Sequence, residues 1–526
     1  MANLFRFECV YQQQHRNSQR NAMDRFAQAS SKIKSIEVAA IQGKLSEILT
    51  MIENSLQQAE RIDLVERTLF SSLLDLGHKI VEVYIKNSGD GDVGETIEFT
   101  EGMTLHRSQE KQLRRYQSIF GDLEVKRFVY WQREKQKALV KPLDEKLALP
   151  KDDQSYVLQD WLQRLVVKET YGEAVTSLKT LLNVTTSVRS AERINSEMAQ
   201  AFATFEPVED FDTQPDAELL VVTADGKGVP MRQSLNQRKH EQYGTKLYES
   251  QNTTGVEKTK KRRTAGANKS VKQSAYVGAV YSIAPFVRSA DDVLNELQRA
   301  ESQTNRPRPV HKRLSLEMTQ VLTELQEGPQ QLFASLAEEV GQRAGNRTVI
   351  CLMDGQRSLW FRQRESLPSA IPILDLFHAM EYLWEAAYCF EAKGSVQAEK
   401  FVNRYLKMLL EGKVKNVISA FKCRRASLKG NRLKTLEKVI GYYRTNRDHM
   451  KYDEYLAAGY PIGSGVIEGA CRHLVKDRME RSGMRWTIEG ATSVLKLRAT
   501  YLNQHWDQFI EHRIKTEQKL IYAIAA

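Results

Sequence analysis

The chain has 526 residues, which at roughly 100–200 residues per domain leaves room for about three domains and a large core. Its 41% hydrophobic and 27% charged residues are an ordinary globular mixture, but a net charge of +11 and a pI of about 9.1 point to a polyanionic partner: DNA, RNA or an anionic surface. No run of 18 apolar residues occurs, the first 25 residues lack an apolar signal core, and the five cysteines form no CxxC pair. Those absences argue against a membrane span, secretion, a disulfide framework and a cysteine zinc site, and for reduced thiols inside a cell.

Residues 1–110 read as a helical, irregular N-terminal region whose first 30 residues are expected to be poorly ordered. Leu64, Leu69, Leu73, Leu76 and Ile80 recur at helical spacing. KNSGDGDVGE (86–95) reads as a loop. Residues 111–210 form a second region. FGDLEVKRFVYWQ (120–132) alternates polar and apolar residues behind Gly-Asp, the pattern of a β-hairpin arm. YGEAVTSLKTLL (171–182), a break at NVTT, and SVRSAERINSEMAQAFA (187–203) with Ser187 as N-cap give helix, break, helix. That pattern serves either a helix-turn-helix, with Arg189 and Arg193 facing DNA, or a plain helical hairpin.

The third region, 215–510, reads as α/β. AELLVVTADG (217–226) is an apolar strand ending in Asp-Gly, KGVPMR a returning strand, and SAYVGAVYSIAPF (274–286) a third. A helical stretch over about 290–344 leads to the strand RTVICLMDG (347–355) and then to IPILDLFH (371–378). Long helices follow, over about 379–456 as an insertion and then onward, with a tail at 511–526. An antiparallel start followed by strands alternating with helices matches a ribonuclease-H-like mixed five-stranded sheet. Between the second and third strands, a polar insert at 235–272 carries KTKKRR, with Lys260, Lys261, Arg262 and Arg263. From Arg232 to Lys272 there are eleven Lys/Arg against three Asp/Glu, which suits either a solvated loop or one ordered by DNA.

Asp225 and Asp354 each end an apolar strand and precede a glycine. In open α/β sheets ligands bind beyond the carboxyl ends of strands, and two carboxylates there suit hard divalent cations. The glycine would leave room for a close ligand; an ordinary Asp-Gly turn reads the same way. Glu468, in the helix start VIEGACRHLVKDRM, is a third acid, or simply a partner of the helix dipole. Asp375 also ends a strand and rivals Asp354, although Asp354 ends the first strand after the helix. His378 is the nearby candidate for contacting a phosphate or orienting a carboxylate. Arg472, Lys476, Arg478, Arg481, Arg485, Lys496 and Arg498 make the C-terminal helices basic, and Trp486 could stack on an unpaired base or pack in the core.

Five segments, TADGKGVPMR, VICLMDGQRSLW, ILDLFHAMEYLWEAA, GSGVIEGACRHLVKDRM and SGMRWTIEGATSVLKLRA, occur in an order that resembles the ISKra family of bacterial insertion-sequence transposases. The resemblance runs from about residue 140 to about 510. The N-terminal 110 residues resemble the family only loosely, and the basic insert is longer than the family pattern leads one to expect. The family belongs to the DDE transposases, with a ribonuclease-H-like core and a Mutator-type layout. The resemblance implies that Asp225, Asp354 and Glu468 are the catalytic, metal-binding acids, spaced 354 − 225 = 129 and 468 − 354 = 114 residues, the second gap holding the helical insertion. It implies two Mg²⁺ ions, with Mn²⁺ able to substitute, cleavage of double-stranded DNA at terminal inverted repeats, and attack of the freed 3′-hydroxyl on target DNA. It further implies a homodimer or higher oligomer on DNA and a cytoplasmic, nucleoid-associated protein. A ribonuclease-H-like nuclease without strand transfer would have the same metal site, and a DNA-binding protein without catalysis is the third alternative.

Overall fold

The computed structural model describes residues 35–99, 103–132, 138–208, 219–232, 272–298, 306–318 and 327–522. Contacts divide the chain into two units, Met1–Phe205 with Asp507–Ala526, and Glu206–Trp506. The expected disorder of residues 1–30 and the basic residues Lys260, Lys261, Arg262 and Arg263 lie outside the described residues. No helix among those described is long and apolar enough to cross a membrane.

The first unit opens with helices α1 (Ser35–Gln57) and α2 (Ile62–Asn87), joined by a tight link that folds them into a hairpin. Strands β1 (Thr96–Phe99) and β2 (Met103–Arg107) then pair antiparallel, and β2 pairs with β5 (Tyr130–Trp131). The sequence reading had this stretch as helical and irregular; TIEF and MTLHR are too short and too polar to show a strand period. Strands β3 (Gln112–Ser118) and β4 (Gly121–Arg127) form the hairpin, with Gly121 at φ 112° in its turn. Its alternation buries Leu123 and Val125 against Ile85 and Leu143. Helix α3 (Pro142–Lys146) carries Asp144, which is 1% exposed and pairs with Arg114 at 2.7 Å and Arg127 at 2.5 Å.

Helices α4 (Tyr156–Val166), α5 (Tyr171–Leu182) and α6 (Val188–Gln200) complete this part of the unit. Thr170 and Glu173 cap α5 reciprocally, Asn183 ends it in the left-handed conformation at φ 55°, and Ser187 caps α6 through Ser190 N–H at 2.9 Å. Buried Ala191, Ile194, Asn195 and Met198 turn α6 inward, and Asn195 donates to Gln163 Oε1 at 2.8 Å.

The second unit is mixed α/β around a five-stranded sheet. In chain order it contains β6 (Leu219–Pro230), β7 (Lys272–Ile283), α7 (Ala290–Leu297), β8 (Val310–Met318), α8 (Glu327–Arg343), β9 (Thr348–Met353), α9 (Arg357–Ser366) and β10 (Ile371–Leu374). The strands lie in the order β10-β9-β6-β7-β8; β7 is antiparallel to both its neighbours, while β6, β9 and β10 are parallel. Two expectations are corrected here. KGVPMR is no returning strand, since β6 runs straight through Gly226 and Gly228 to Pro230, paired throughout with β7. The supposed helix 290–344 contains β8, an edge strand that buries only Leu314, Leu316 and Met318, so its hydrophobic period is easily lost among VHKR.

Helices α10 (Leu376–Phe390), α11 (Val396–Leu410), α12 (Val414–Arg424), α13 (Gly430–Asn446) and α14 (Tyr452–Ala457) follow, and their buried apolar faces join the sheet in one hydrophobic core. Helix α15 (Gly465–Ala470) passes into a π-helical turn, Cys471–Lys476, and α16 (Asp477–Met479), before α17 (Ile488–Leu502). The final helix, α18 (Trp506–Tyr522), replaces the expected tail from residue 511. Nearly all of it belongs to the first unit, where Phe509 stacks on Phe202, Arg513 donates to Gln159, and the Tyr522 hydroxyl donates to the carbonyls of Asp144 and Leu149.

Candidate active site

Strand pairing places the two aspartates. β6 and β9 pair in parallel from Leu219↔Thr348 to Val222↔Cys351. Asp225 and Asp354 each lie three residues beyond that last pair, at equivalent positions beyond the parallel pairing of two neighbouring strands. Residues 219–224 of β6 and 350–353 of β9 are buried, and both acids emerge half-buried. Asp225 accepts from Gly226 N–H at 2.6 Å and from the Cys471 thiol at 3.5 Å. Asp354 accepts from Gln356 N–H at 2.9 Å. Burial raises the Asp354 carboxyl above the usual carboxylate range; the Gln356 N–H and His378 oppose this, and the negative charges of Asp225 and Asp375 reinforce it.

Asp375 stands differently. It is fully buried at the N-terminus of α10, and its own N–H donates to Met353 O at 2.8 Å. Its carboxylate accepts from His378 N–H at 3.2 Å, from His378 Nδ1 at 2.6 Å and from Ser464 N–H at 2.8 Å. These three donors from within the protein fit a residue that holds the site together. The His378 imidazole is half-buried, and its hydrogen bond to Asp375 raises its pKa to about 9 against the opposing effect of burial, so it carries a proton at neutral pH.

Glu468 is exposed, on the short helix α15, which packs against β6 and β7. Although the residue is exposed, partial covering of its carboxyl raises its pKa, as do Asp375, Glu381 and Asp225, while His378 opposes them. Asp354 and Glu468 thus share Asp225, Asp375 and His378 as electrostatic neighbours. Among the described residues, however, no group of three or more His, Cys, Asp or Glu side chains is gathered closely enough to hold a metal ion. The donor chemistry of the pair Asp225 and Asp354 fits a hard dication, since both ligands are carboxylates and cation binding would relieve their mutual repulsion.

The glycines behave unequally. A Cβ on Gly226 would meet the edge of Tyr276 at 3.2 Å and Gln356 Oε1 at 3.6 Å, but one on Gly355 would lie 2.3 Å from the Tyr442 ring. The room expected beside Gly355 for a ligand is thus filled by Tyr442, which stacks on Tyr382 at 3.7 Å between centroids. Tyr442 and Cys471 are neighbours of the acids that sequence reasoning did not single out in that role. Cys471 carried one signal, its i+3 spacing from Glu468; Tyr442, in the helical insertion, carried none.

The basic surface is smaller than the sequence suggests. Arg478 and Arg498 are buried, the latter donating to His473 O, and Lys496 pairs with Glu317 at 3.5 Å. Arg472, Lys476, Arg481 and Arg485 are exposed, with Arg472 3.9 Å from Asp477. Trp486 is buried, donates its indole N–H to Met479 O at 3.2 Å, and lies under Arg478. Its backbone bonds to Pro230 and Arg232 beside the end of β6. Trp486 is therefore packed in the core, the second of the two readings its sequence left open. In the other unit, Arg189 is exposed, while Arg193 pairs with Asp152 at 2.5 Å and Glu197 at 3.2 Å. Comparison with protein-family models and with curated proteins gives no match.

Proposed function

We propose that this chain is a DDE-type DNA transposase whose second unit is a ribonuclease-H-like catalytic domain, with Asp225, Asp354 and Glu468 as its acids. The observation that carries this reading is the equivalent placement of Asp225 and Asp354 beyond two parallel strands, with α15 packed on β6 and β7. The strand order, with β7 alone antiparallel, supports a ribonuclease-H-like sheet. The five segments that resemble the ISKra transposases supply the rest of the argument.

A divalent cation held by Asp225 and Asp354 would supply charge neutralisation at a scissile phosphate and a more acidic bound water. Asp375 fixes His378 through Nδ1, which leaves the other nitrogen of a protonated ring to donate to a phosphate oxygen. Glu468, on a short helix entered through Gly463 and Gly465, is the acid placed to adjust when substrate arrives. Arg189 and the exposed Arg472, Lys476, Arg481 and Arg485 would hold DNA backbone, with Arg193 freed for contact only by breaking its pairs with Asp152 and Glu197.

The test is incubation of the purified chain with Mg²⁺ or Mn²⁺ and DNA carrying both flanks of its own gene. Strand cleavage and joining of 3′-ends to a plasmid, both lost in Asp225→Asn and Asp354→Asn, are expected. Cleavage without joining would make the chain a nuclease, and metal-independent binding alone would make it a DNA-binding protein.

A further inference from the structure

Tyr442, on α13, has a buried hydroxyl oxygen that finds no hydrogen-bond partner among the described residues. Nearby tyrosines show what the chain ordinarily does with such a group. Tyr443 donates to Ala379 O at 2.8 Å, Tyr452 to Leu374 O at 3.0 Å and Tyr455 to Pro372 O at 3.0 Å. A buried donor without an acceptor destabilises a fold, so a hydroxyl kept in that state calls for a partner that arrives from elsewhere. The Tyr442 ring is not free to turn away and find one. It stacks on Tyr382 with centroids 3.7 Å apart and planes 10° from parallel, and Lys438, paired with Glu385 at 2.9 Å, lies over the Tyr382 ring at 4.9 Å.

The hydroxyl abuts the turn that carries Asp354. A Cβ on Gly355 would lie 2.7 Å from Tyr442 Oη, so the missing side chain is what lets the phenol reach the backbone beside the acid. Burial raises the phenol's pKa, and Tyr382, Asp354, Asp375 and Glu381 reinforce this in that order, so the group keeps its proton and serves as a donor. Of those three carboxylates, Asp375 already accepts three hydrogen bonds and Glu381 is exposed. Asp354 accepts, among the described residues, from Gln356 N–H alone. We propose that Tyr442 is a positioning residue for Asp354, its hydroxyl being the donor that holds the Asp354 carboxylate once that carboxylate binds a divalent cation. The inference rests on the reading of Asp354 as a metal ligand, and it gives the helical insertion a part in the site.

Tyr442→Phe removes the hydroxyl and keeps the ring and its stack. Mn²⁺ titration of the full chain without DNA, followed by the paramagnetic resonance signal of the free ion, measures binding apart from catalysis. The component lost in Asp354→Asn should weaken by about 10–100-fold in Tyr442→Phe, the range for removing the partner of a metal ligand, and should be unchanged in Tyr443→Phe. Thermal melts in chelator should rank the two variants the other way. Tyr443→Phe should melt below wild type, because a made hydrogen bond is lost, and Tyr442→Phe at or above it. Asp354-dependent binding that Tyr442→Phe leaves intact overturns the proposal and leaves Asp354 a metal ligand. Tyr442→Phe melting as low as Tyr443→Phe also overturns it, since the hydroxyl would then be paired without metal. Absence of any Asp354-dependent Mn²⁺ binding overturns the metal reading of Asp354, and this inference with it.

Discussion

The Asp375 carboxylate accepts a hydrogen bond from Ser464 N–H at 2.8 Å, tying the end of β10 to the loop that leads into the Glu468 helix across 89 residues of sequence. With two further bonds from His378 it makes Asp375 the joint between strand and helix. Asp375→Ala should therefore unfold the chain more easily, by about 3 kcal/mol, because the buried Ser464 N–H and the two half-buried His378 donors lose their acceptor. Asp354→Asn should do the opposite. It removes a charge that burial and Asp225 already disfavour, so stability without metal should hold or rise by up to about 1 kcal/mol while cleavage is lost. Thermal melts of both variants in chelator decide this; a larger loss for Asp354→Asn than for Asp375→Ala would reverse the two roles.

Folding raises the His378 pKa from 6.5 to about 9, so the folded chain holds that proton more tightly than the unfolded one. The stabilisation is fully present below about pH 6.5 and fades as pH rises through about 9. Melting wild type and His378→Gln from pH 6 to 10 in chelator should show a gap that narrows across that window. After allowance for the partly exposed ring, its full size is on the order of 2 kcal/mol. A gap independent of pH would show that the Asp375–His378 bond does not depend on ring charge.

Gly355 has no room for a methyl group, because its Cβ would sit 2.3 Å from the Tyr442 ring. Gly355→Ala should cost about 1–3 kcal/mol and displace the Asp354 turn. Adding Tyr442→Ala should recover part of that loss, a non-additivity that a double-mutant cycle measures directly. Strict additivity would mean that Tyr442 does not confine the turn.

Of the two arginines on α6, Arg189 is exposed and Arg193 is held by Asp152 and Glu197. Arg189→Ala should weaken DNA binding and lower the salt slope by about one. Arg193→Ala should weaken it less, because binding through Arg193 must first break its ion pairs. Fluorescence anisotropy over a salt series separates them; a larger loss from Arg193→Ala would show that the pairs open in the complex.

The buried strands were the most legible part of the fold, since LLVVTA and VICLM are short apolar runs, rich in β-branched residues, of the kind a covered strand uses. The helix pair at 171–203 was legible from its break and its Ser187 cap. β8 was not, because an edge strand buries one face and fills the other with charge. The continuation of β6 through Asp225-Gly226 was hidden for a related reason. Asp-Gly is a turn signal in isolation, yet β7 pairs with it residue by residue and keeps the strand extended. At the candidate site, the acids could be read from strand ends, but the saturation of Asp375 could not, since its partner Ser464 comes from 89 residues away. Which of the two readings of Trp486 holds could not be read locally, because its burial against Arg478 and Met479 is a tertiary fact with no local pattern.

Helix α18 gives the first unit an unusual schedule. Phe509, Arg513 and Tyr522 are built into it, yet they leave the ribosome only after the roughly 300 residues of Glu206–Trp506. At about 5–20 residues per second, that delay is on the order of tens of seconds. Phe202 and Gln159, and the backbone carbonyls of Asp144 and Leu149, must wait that long for the partners they meet in the finished protein. A nascent chain stalled before residue 507 would therefore expose the very surfaces α18 covers, and a chaperone that binds there would engage this protein during synthesis and release it once translation is complete.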